Sequence, residues 1–265
     1  MSIADFRMDG RVALVTGGSR GLGLAMASNF VEAGARVAIV ARRKAQIDEA
    51  LAELGGAATG HVCDVGKAED IARAWAEIVA AHGRVDVLVN NAGGHAHGPF
   101  ESLADADWTK DFDLKLFAAV RFCRLALPGM RERKWGRVIN VLNVYAKTPF
   151  AETAPTSVTR AAGMALTKAL ANEYAPHQVL VNALLVGFIE TDQIARLHEA
   201  HQQAGGATSY DEFIASYARE KLKIGIGRFG KAEEFANAAL FLCSNAGAYV
   251  SGVALNVDGG FSPVM

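Results

Sequence analysis

The sequence predicts an α/β fold, a doubly wound parallel sheet in a three-layer α/β/α arrangement. Short apolar runs rich in β-branched residues alternate with amphipathic segments of helical period along the whole chain. The runs are apolar at nearly every position, as strands covered on both faces must be. A length of 265 residues suits one sizeable domain, and no linker, repeat or low-complexity segment divides it. The expected organisation is therefore a single domain over 1–265.

The elements follow in order. RVALVTGG (11–18) is a buried strand closed by glycines, and residues 22–33 follow at helical spacing up to Gly34. RVAIVAR is the second strand, and RKAQIDEALAEL a helix ending at Gly55-Gly56. GHVCDV (60–65), helix 68–81 and strand VDVLVNNAG come next. Helix 105–127, strand GRVINVLN, helix 156–174 and strand VLVNALLVG continue the alternation, and helix 232–244 with strand VALNVDGG closes it. Right-handed crossovers leave few topologies other than a doubly wound one. Segment 188–229 breaks the rhythm, with Gly205-Gly206 between DQIARLHEAHQQ and SYDEFIASYAREKL. A long ordered insertion at the carboxyl end of a sheet is expected to be a lid; the alternative is a decoration that packs a partner subunit.

Composition narrows the function. Half of the residues are hydrophobic and the formal net charge is −1, which favours neither nucleic acid nor an anionic membrane surface. Cys63, Cys123 and Cys243 are far apart, with no metal-ligand or disulfide spacing, so no metal is expected. The N-terminus lacks the pattern of a signal peptide and no apolar run is long enough to span a bilayer, so a cytoplasmic protein is expected.

TGGSRGLG, Thr16 to Gly23, joins the first strand to the first helix. Glycines in that place let the backbone turn sharply and let a pyrophosphate approach the helix N-terminus, whose free N–H groups favour negative charge. The spacing is G-x-x-x-G-x-G, through Gly17, Gly21 and Gly23. About 20 residues on, where an acid would grip the ribose hydroxyls of NAD, the chain has Ala41-Arg42-Arg43. Arg42 with Arg20 suits a 2′-phosphate through forked, charge-assisted hydrogen bonds, so NADP(H) is expected over NAD. The alternative is a pair of surface arginines without a ligand.

TGGSRGLG, CDV at 63–65, NNAG at 90–93, VN at 181–182, GRFG at 227–230 and VDGG at 257–260 together resemble the short-chain dehydrogenase/reductase family, nearly end to end. The resemblance implies a Rossmann-like fold, a small-molecule substrate and a homotetramer or dimer. It also implies a cofactor site of Gly17, Ser19, Arg20, Gly21, Leu22, Gly23, Arg42, Asp64, Val65, Asn91, Gly93 and Arg160. Asp64 and Val65 would meet the adenine, Asn91 the ribose side, and Ile189 with Thr191 the carboxamide end of the nicotinamide.

The family works with an Asn, a Ser, a Tyr and a Lys. The flanking motifs put Asp113 at the Asn position, Asn143 at the Ser, Thr156 at the Tyr and Arg160 at the Lys, so all four differ. A Thr hydroxyl is too weak an acid to replace a phenol, and Arg keeps its charge without releasing a proton. Asn143 can still donate to a carbonyl oxygen. Binding and polarisation survive; proton donation is what is missing. Tyr145, after the strand ending at Asn143, and His95 and His97, after NNAG, are the candidate replacement acids. Two readings follow. One is an NADP(H)-dependent oxidoreductase acting on a carbonyl, an alcohol or an activated double bond through a non-standard site. The other is a catalytically silent relative that binds cofactor and supports a partner subunit or senses the NADP(H) ratio.

Overall fold

The computed structural model describes residues 2–94, 96–190 and 192–265. Its strands are β1 (Val12–Thr16), β2 (Arg36–Ala41), β3 (Ala58–Val62), β4 (Val87–Asn90), β5 (Gly136–Asn143), β6 (Val179–Val186) and β7 (Ala254–Val257). They form one sheet in the order β3-β2-β1-β4-β5-β6-β7, parallel throughout. The expected doubly wound α/β architecture is present. The helices are α1 (Gly21–Glu32), α2 (Lys44–Leu54), α3 (Ala68–His82), α4 (Asp105–Phe112), α5 (Ala118–Glu132), α6 (Ala154–Tyr174), α7 (Asp192–Gln203), α8 (Tyr210–Ser216) and α9 (Ala232–Cys243).

Successive strand residues point to opposite faces, and each face meets its own helices. Val15, Ile39 and Ile139 pack under α1 and α9 against Met26, Phe30, Phe235 and Leu242. Their neighbours Leu14, Val40 and Val138 face α3 and α5, against Ile71, Ile78, Phe122 and Met130. This explains why the strands read as unbroken apolar runs.

Two elements differ from the sequence expectation. The third strand starts earlier and ends at Val62, because β2 ends at its register partner Ala41; Asp64 then makes a turn by accepting from the Gly66 N–H at 3.1 Å. The helix expected over 105–127 runs on to Glu132 and contains a π-helical turn, Asp113–Phe117, between α4 and α5. Within 188–229, α7 and α8 are followed by a second π turn, Tyr217–Lys221. Ile194, Ala218, Ile224 and Phe229 form a small core of their own there, against Phe188 and Phe261.

The chain builds the sheet outwards from β1 through β2 to β3, then returns to place β4 on the other side of β1. Connections diverge at that point and leave a crevice over the carboxyl ends of β1 and β4, where ligands bind in open α/β sheets. At the opposite end the buried Asp86 carboxylate clasps the sheet. It accepts from the Val12 N–H at 3.0 Å and from Arg84 Nε at 3.0 Å, with Arg133 Nε at 3.4 Å. Asp86→Ala leaves a buried backbone donor without its acceptor, so a loss of about 1–3 kcal/mol is expected; urea denaturation measures it, and an unchanged midpoint would remove Asp86 from this role.

Candidate active site

The glycine loop is shaped by backbone constraints. Gly17 has φ +65° and Gly21 φ +55°, conformations that cost side-chain-bearing residues energy. A Cβ on Gly23 would collide with the Gly17 carbonyl, so the loop closes on the start of α1 only because glycine stands there. Thr16 fixes this loop to the end of β4. Its hydroxyl accepts from the N–H groups of Asn91 and Ala92 at 2.8 and 2.9 Å. The Asn91 side chain donates to the Thr16 carbonyl at 2.8 Å. Asn91 lines the crevice, with its amide hydrogens directed at the loop.

A groove of about 630 Å³ follows the crevice. It is lined by Gly17, Ser19, Arg20, Gly21, Leu22, Gly23, Arg42, Asp64, Val65, Asn91 and Gly93, all expected at the cofactor site, and also by Arg43, Gln46, Glu190 and Arg196. Arg43 continues the charged end of β2, where its Nε donates to Gln46 at 2.9 Å. Arg196 comes from α7, and no local pattern ties it to the glycine loop. Cys63 also lines the groove, its thiol pushed up to about 12 chiefly by burial, so it stays protonated and inert. Ile189 stands between Phe188, which lines the inner cavity, and Glu190, which lines the groove; it bridges to Gly230 and is not itself among the lining residues. Thr191 and His95 lie outside the described residues.

The groove continues into a second cavity of about 390 Å³, with Arg20, Leu22, Asn91 and Gly93 common to both. Asn143, Tyr145, Arg160, Val186 and Phe188 line it. Arg160 is buried and donates from Nη1 to the Val141 carbonyl at 2.8 Å. Burial lowers its guanidinium to about 10, with Asp111 opposing that shift. Among the described residues, Arg160 Nε and Asn143 Oδ1 have no hydrogen-bond partner. Orphaned buried polar atoms beside a cavity are costly unless a ligand or water meets them. Tyr145 is half-buried in a row of rings, 6.2 Å from His97 and 5.4 Å from Phe150 between centroids. Burial raises its phenol.

Thr156 and Asp113 turn out differently from each other. Thr156 is buried, donates to the Ala96 carbonyl at 3.1 Å and accepts from Lys115 Nζ at 3.0 Å. Lys115 in turn pairs with Asp111 at 2.5 Å, and Asp111 accepts from the Thr159 hydroxyl at 2.7 Å. Asp113 takes no part: it is partly exposed and pairs with Arg121 at 3.0 Å. The reason is helical phase. Asp111 and Lys115 are four residues apart and share a face, whereas Asp113, midway between them, points to the other side. The group brought to Thr156 is thus Lys115, which the motif match passed over. Burial lowers the Lys115 ammonium to about 8, reinforced by the positive Arg160 and opposed by Asp111.

Comparison with known proteins places the chain in a family. The family model for short chain dehydrogenase matches residues 11–202. A 3-oxoacyl-[acyl-carrier-protein] reductase of Aquifex aeolicus is 35% identical, over 97% of this chain and 99% of its own. L-sorbose reductase from Gluconobacter frateurii, solved with NADPH and L-sorbose, superposes with a TM-score of 0.91 at 34% identity, over 98% of this chain and 100% of its own. A short chain oxidoreductase from Pseudomonas aeruginosa PAO1, described as containing an atypical catalytic center, has an NADPH-bound structure with a TM-score of 0.89 at 33% identity, over 98% and 99% of the two chains.

The Lys115–Thr156 contact gives a direct test. Thr156→Val removes the acceptor from a buried ammonium and is expected to lower stability by about 1–3 kcal/mol, while Thr156→Ser keeps the hydroxyl and most of the stability. Equal urea midpoints for the two variants would show that the contact contributes nothing.

Proposed function

The chain belongs to the short-chain dehydrogenase/reductase family, and from that membership we propose that it is an NADP(H)-dependent oxidoreductase with a non-standard active site. Its substrate in this reading is a carbonyl compound, the corresponding alcohol or an activated double bond. One observation carries it: a groove with arginines at its outer end opens into a cavity where Arg160 Nε and Asn143 Oδ1 await partners.

The residues present fit such a cofactor. Glycines whose Cβ atoms would fill the cradle leave the N–H groups of the loop for a pyrophosphate. Arg42 and Arg20 would hold a 2′-phosphate, with Arg43 alongside, and Arg160 the nicotinamide ribose. When bound, the nicotinamide supplies or accepts the hydride. Two relatives of known structure carry NADPH, which supports the choice over NADH.

In the cavity, Asn143 and Arg160 orient and polarise the substrate oxygen. Tyr145 presents a hydroxyl from an aromatic wall and holds the substrate by a hydrogen bond, since burial disfavours its ionisation. Segment 188–229 serves as the lid, because α7 places Arg196 on the groove while Phe188 lines the inner cavity. The whole chain acts as one domain in the cytoplasm. A homodimer or tetramer would cover Phe117, Leu125 and Val158, which are exposed around α5 and α6. No helix among the described residues is long and apolar enough to cross a membrane.

The first test is a fluorescence titration of the purified protein with NADPH and, separately, NADH. NADPH is expected to bind more tightly, and Arg42→Ala to weaken it about tenfold to hundredfold while leaving NADH nearly unchanged. Equal affinities would reject the NADP assignment, and binding without turnover would favour the silent-relative reading. For Tyr145→Phe, a loss of a single hydrogen bond lowers kcat/KM by about fivefold to tenfold. A drop of ~10²–10⁴-fold would instead make Tyr145 the general acid.

A further inference from the structure

Three ionisable groups meet behind the inner cavity: Asp111, Lys115 and Arg160, two cations against one carboxylate, all buried. Lys115 is absent from the cavity wall, where Arg160 stands. It is nevertheless adjacent to Arg160 in effect. Thr156 and Arg160 are four residues apart on one face of α6, and the Lys115 ammonium bonds the Thr156 hydroxyl at 3.0 Å. The described residues lining the cavity include Arg20 and Arg160 and no carboxylate.

We propose that Lys115 sets the charge of this active site: protonated, it gives the Asp111, Lys115 and Arg160 cluster a net positive charge that stabilises the negative oxygen formed on the substrate, and deprotonated it leaves the cluster neutral. The inference rests on the oxidoreductase reading. In reduction, the hydride and its electron pair bond to the carbonyl carbon, the C=O π pair moves to oxygen, and the resulting alkoxide takes a proton from water. The nicotinamide is oxidised and the carbonyl reduced. Arg160 meets the oxygen, with its free Nε–H and its fixed charge. Lys115 is a positioning residue that acts through Arg160 and Thr156. A phenol that donates a proton is replaced, in this arrangement, by a buried charge that favours the alkoxide.

Among the described residues, few groups face Lys115. Its own helical segment contributes Asp111; α6 contributes Arg160 and the hydroxyls of Thr156 and Thr159. The loop after β4 contributes Ala96, and its described titratable member, His97, packs against the Tyr145 ring. The ammonium is thus poised to lose its proton at about 8.

The test is the pH dependence of kcat for reduction of 2,3-butanedione, an activated ketone, with saturating NADPH. In the wild type the rate is expected to fall as pH rises through about 8. Lys115→Arg keeps the charge, so its rate stays within severalfold and the fall disappears from that range. Lys115→Met loses the charge at every pH and slows the reaction roughly tenfold, again without the fall. Asp111→Asn removes the group that favours the ammonium, and moves the fall to lower pH. Tyr145→Phe leaves its position unchanged. In parallel, the Cε resonance of 13C-labelled Lys115, assigned by its loss in Lys115→Arg, is expected to titrate below the other lysines.

A fall that stays in place in Lys115→Arg would overturn the proposal, and so would a Lys115 resonance that titrates with ordinary lysines, whether or not the protein turns over. Absence of reduction at every pH would instead overturn the oxidoreductase reading and this role with it. The two failures are therefore distinguishable, and neither depends on Lys115→Met folding.

Discussion

The Thr16 hydroxyl, which accepts the N–H groups of Asn91 and Ala92, holds the crevice in register. It sits where connections diverge, at the carboxyl end of β1 and beside the end of β4. Divergence alone would leave two loops free to move apart. The Thr16 and Asn91 hydrogen bonds join them, so that the glycine loop and the segment after β4 form one wall of the groove. Gly17 can then approach Ala92 closely, and Gly93 can lie against Arg160. Every later feature of the site, from the arginines just after β2 to the inner cavity, is positioned relative to that joint.

A parallel sheet can support such a joint because its centre is rigid. The central strands are apolar on both faces and packed between helices, and polar side chains admitted between them hydrogen-bond one another. Asn90 donates to Asn140 at 2.9 Å and Asn140 to Thr167 at 2.9 Å, linking β4, β5 and α6 across the sheet. That chain ties α6 to the strands about two turns beyond Arg160. Residues that act on a ligand from α6 are thereby fixed to the same frame as the glycine loop, which is what orientation of a reacting group requires.

The fold was legible because it depends on local patterns. Apolar runs such as VALVT and VLVNALLV state their own burial, and TGGSRGLG states its turn through Gly17, Gly21 and Gly23. The groove was legible for the same reason, since most of its wall comes from that loop and from the ends of β2 and β4. Arg196 and Lys115 were not, because each acts across long sequence separations. Lys115 meets Thr156 from 41 residues away, and a motif match at Asp113 drew attention to the wrong helix face. A signal was present: the buried stripe of α5, Met130, Ala126, Phe122 and Ala119, runs back in phase onto Lys115 and Asp111. A charged pair on an apolar stripe must find partners inside the protein. Tertiary placement alone could say which.

The differences at the family's working positions are coupled by space. Thr156 has a short side chain, and its hydroxyl is already surrounded by the Lys115 ammonium and the Ala96 backbone at hydrogen-bonding distance. A tyrosine ring at 156 would have to displace one or the other. Arg160, longer than lysine and forked, reaches the Val141 carbonyl and lies against Gly93, whose missing side chain leaves room for it. Lys115, in turn, would be a costly buried charge without Asp111 and Thr156. Each residue thus makes the others tolerable, and none of the exchanges is easily reversed alone. Here a lysine, an aspartate and two threonines form a hydrogen-bonded network, and two of the buried atoms left unpartnered among the described residues, Arg160 Nε and Asn143 Oδ1, are on residues that line the cavity.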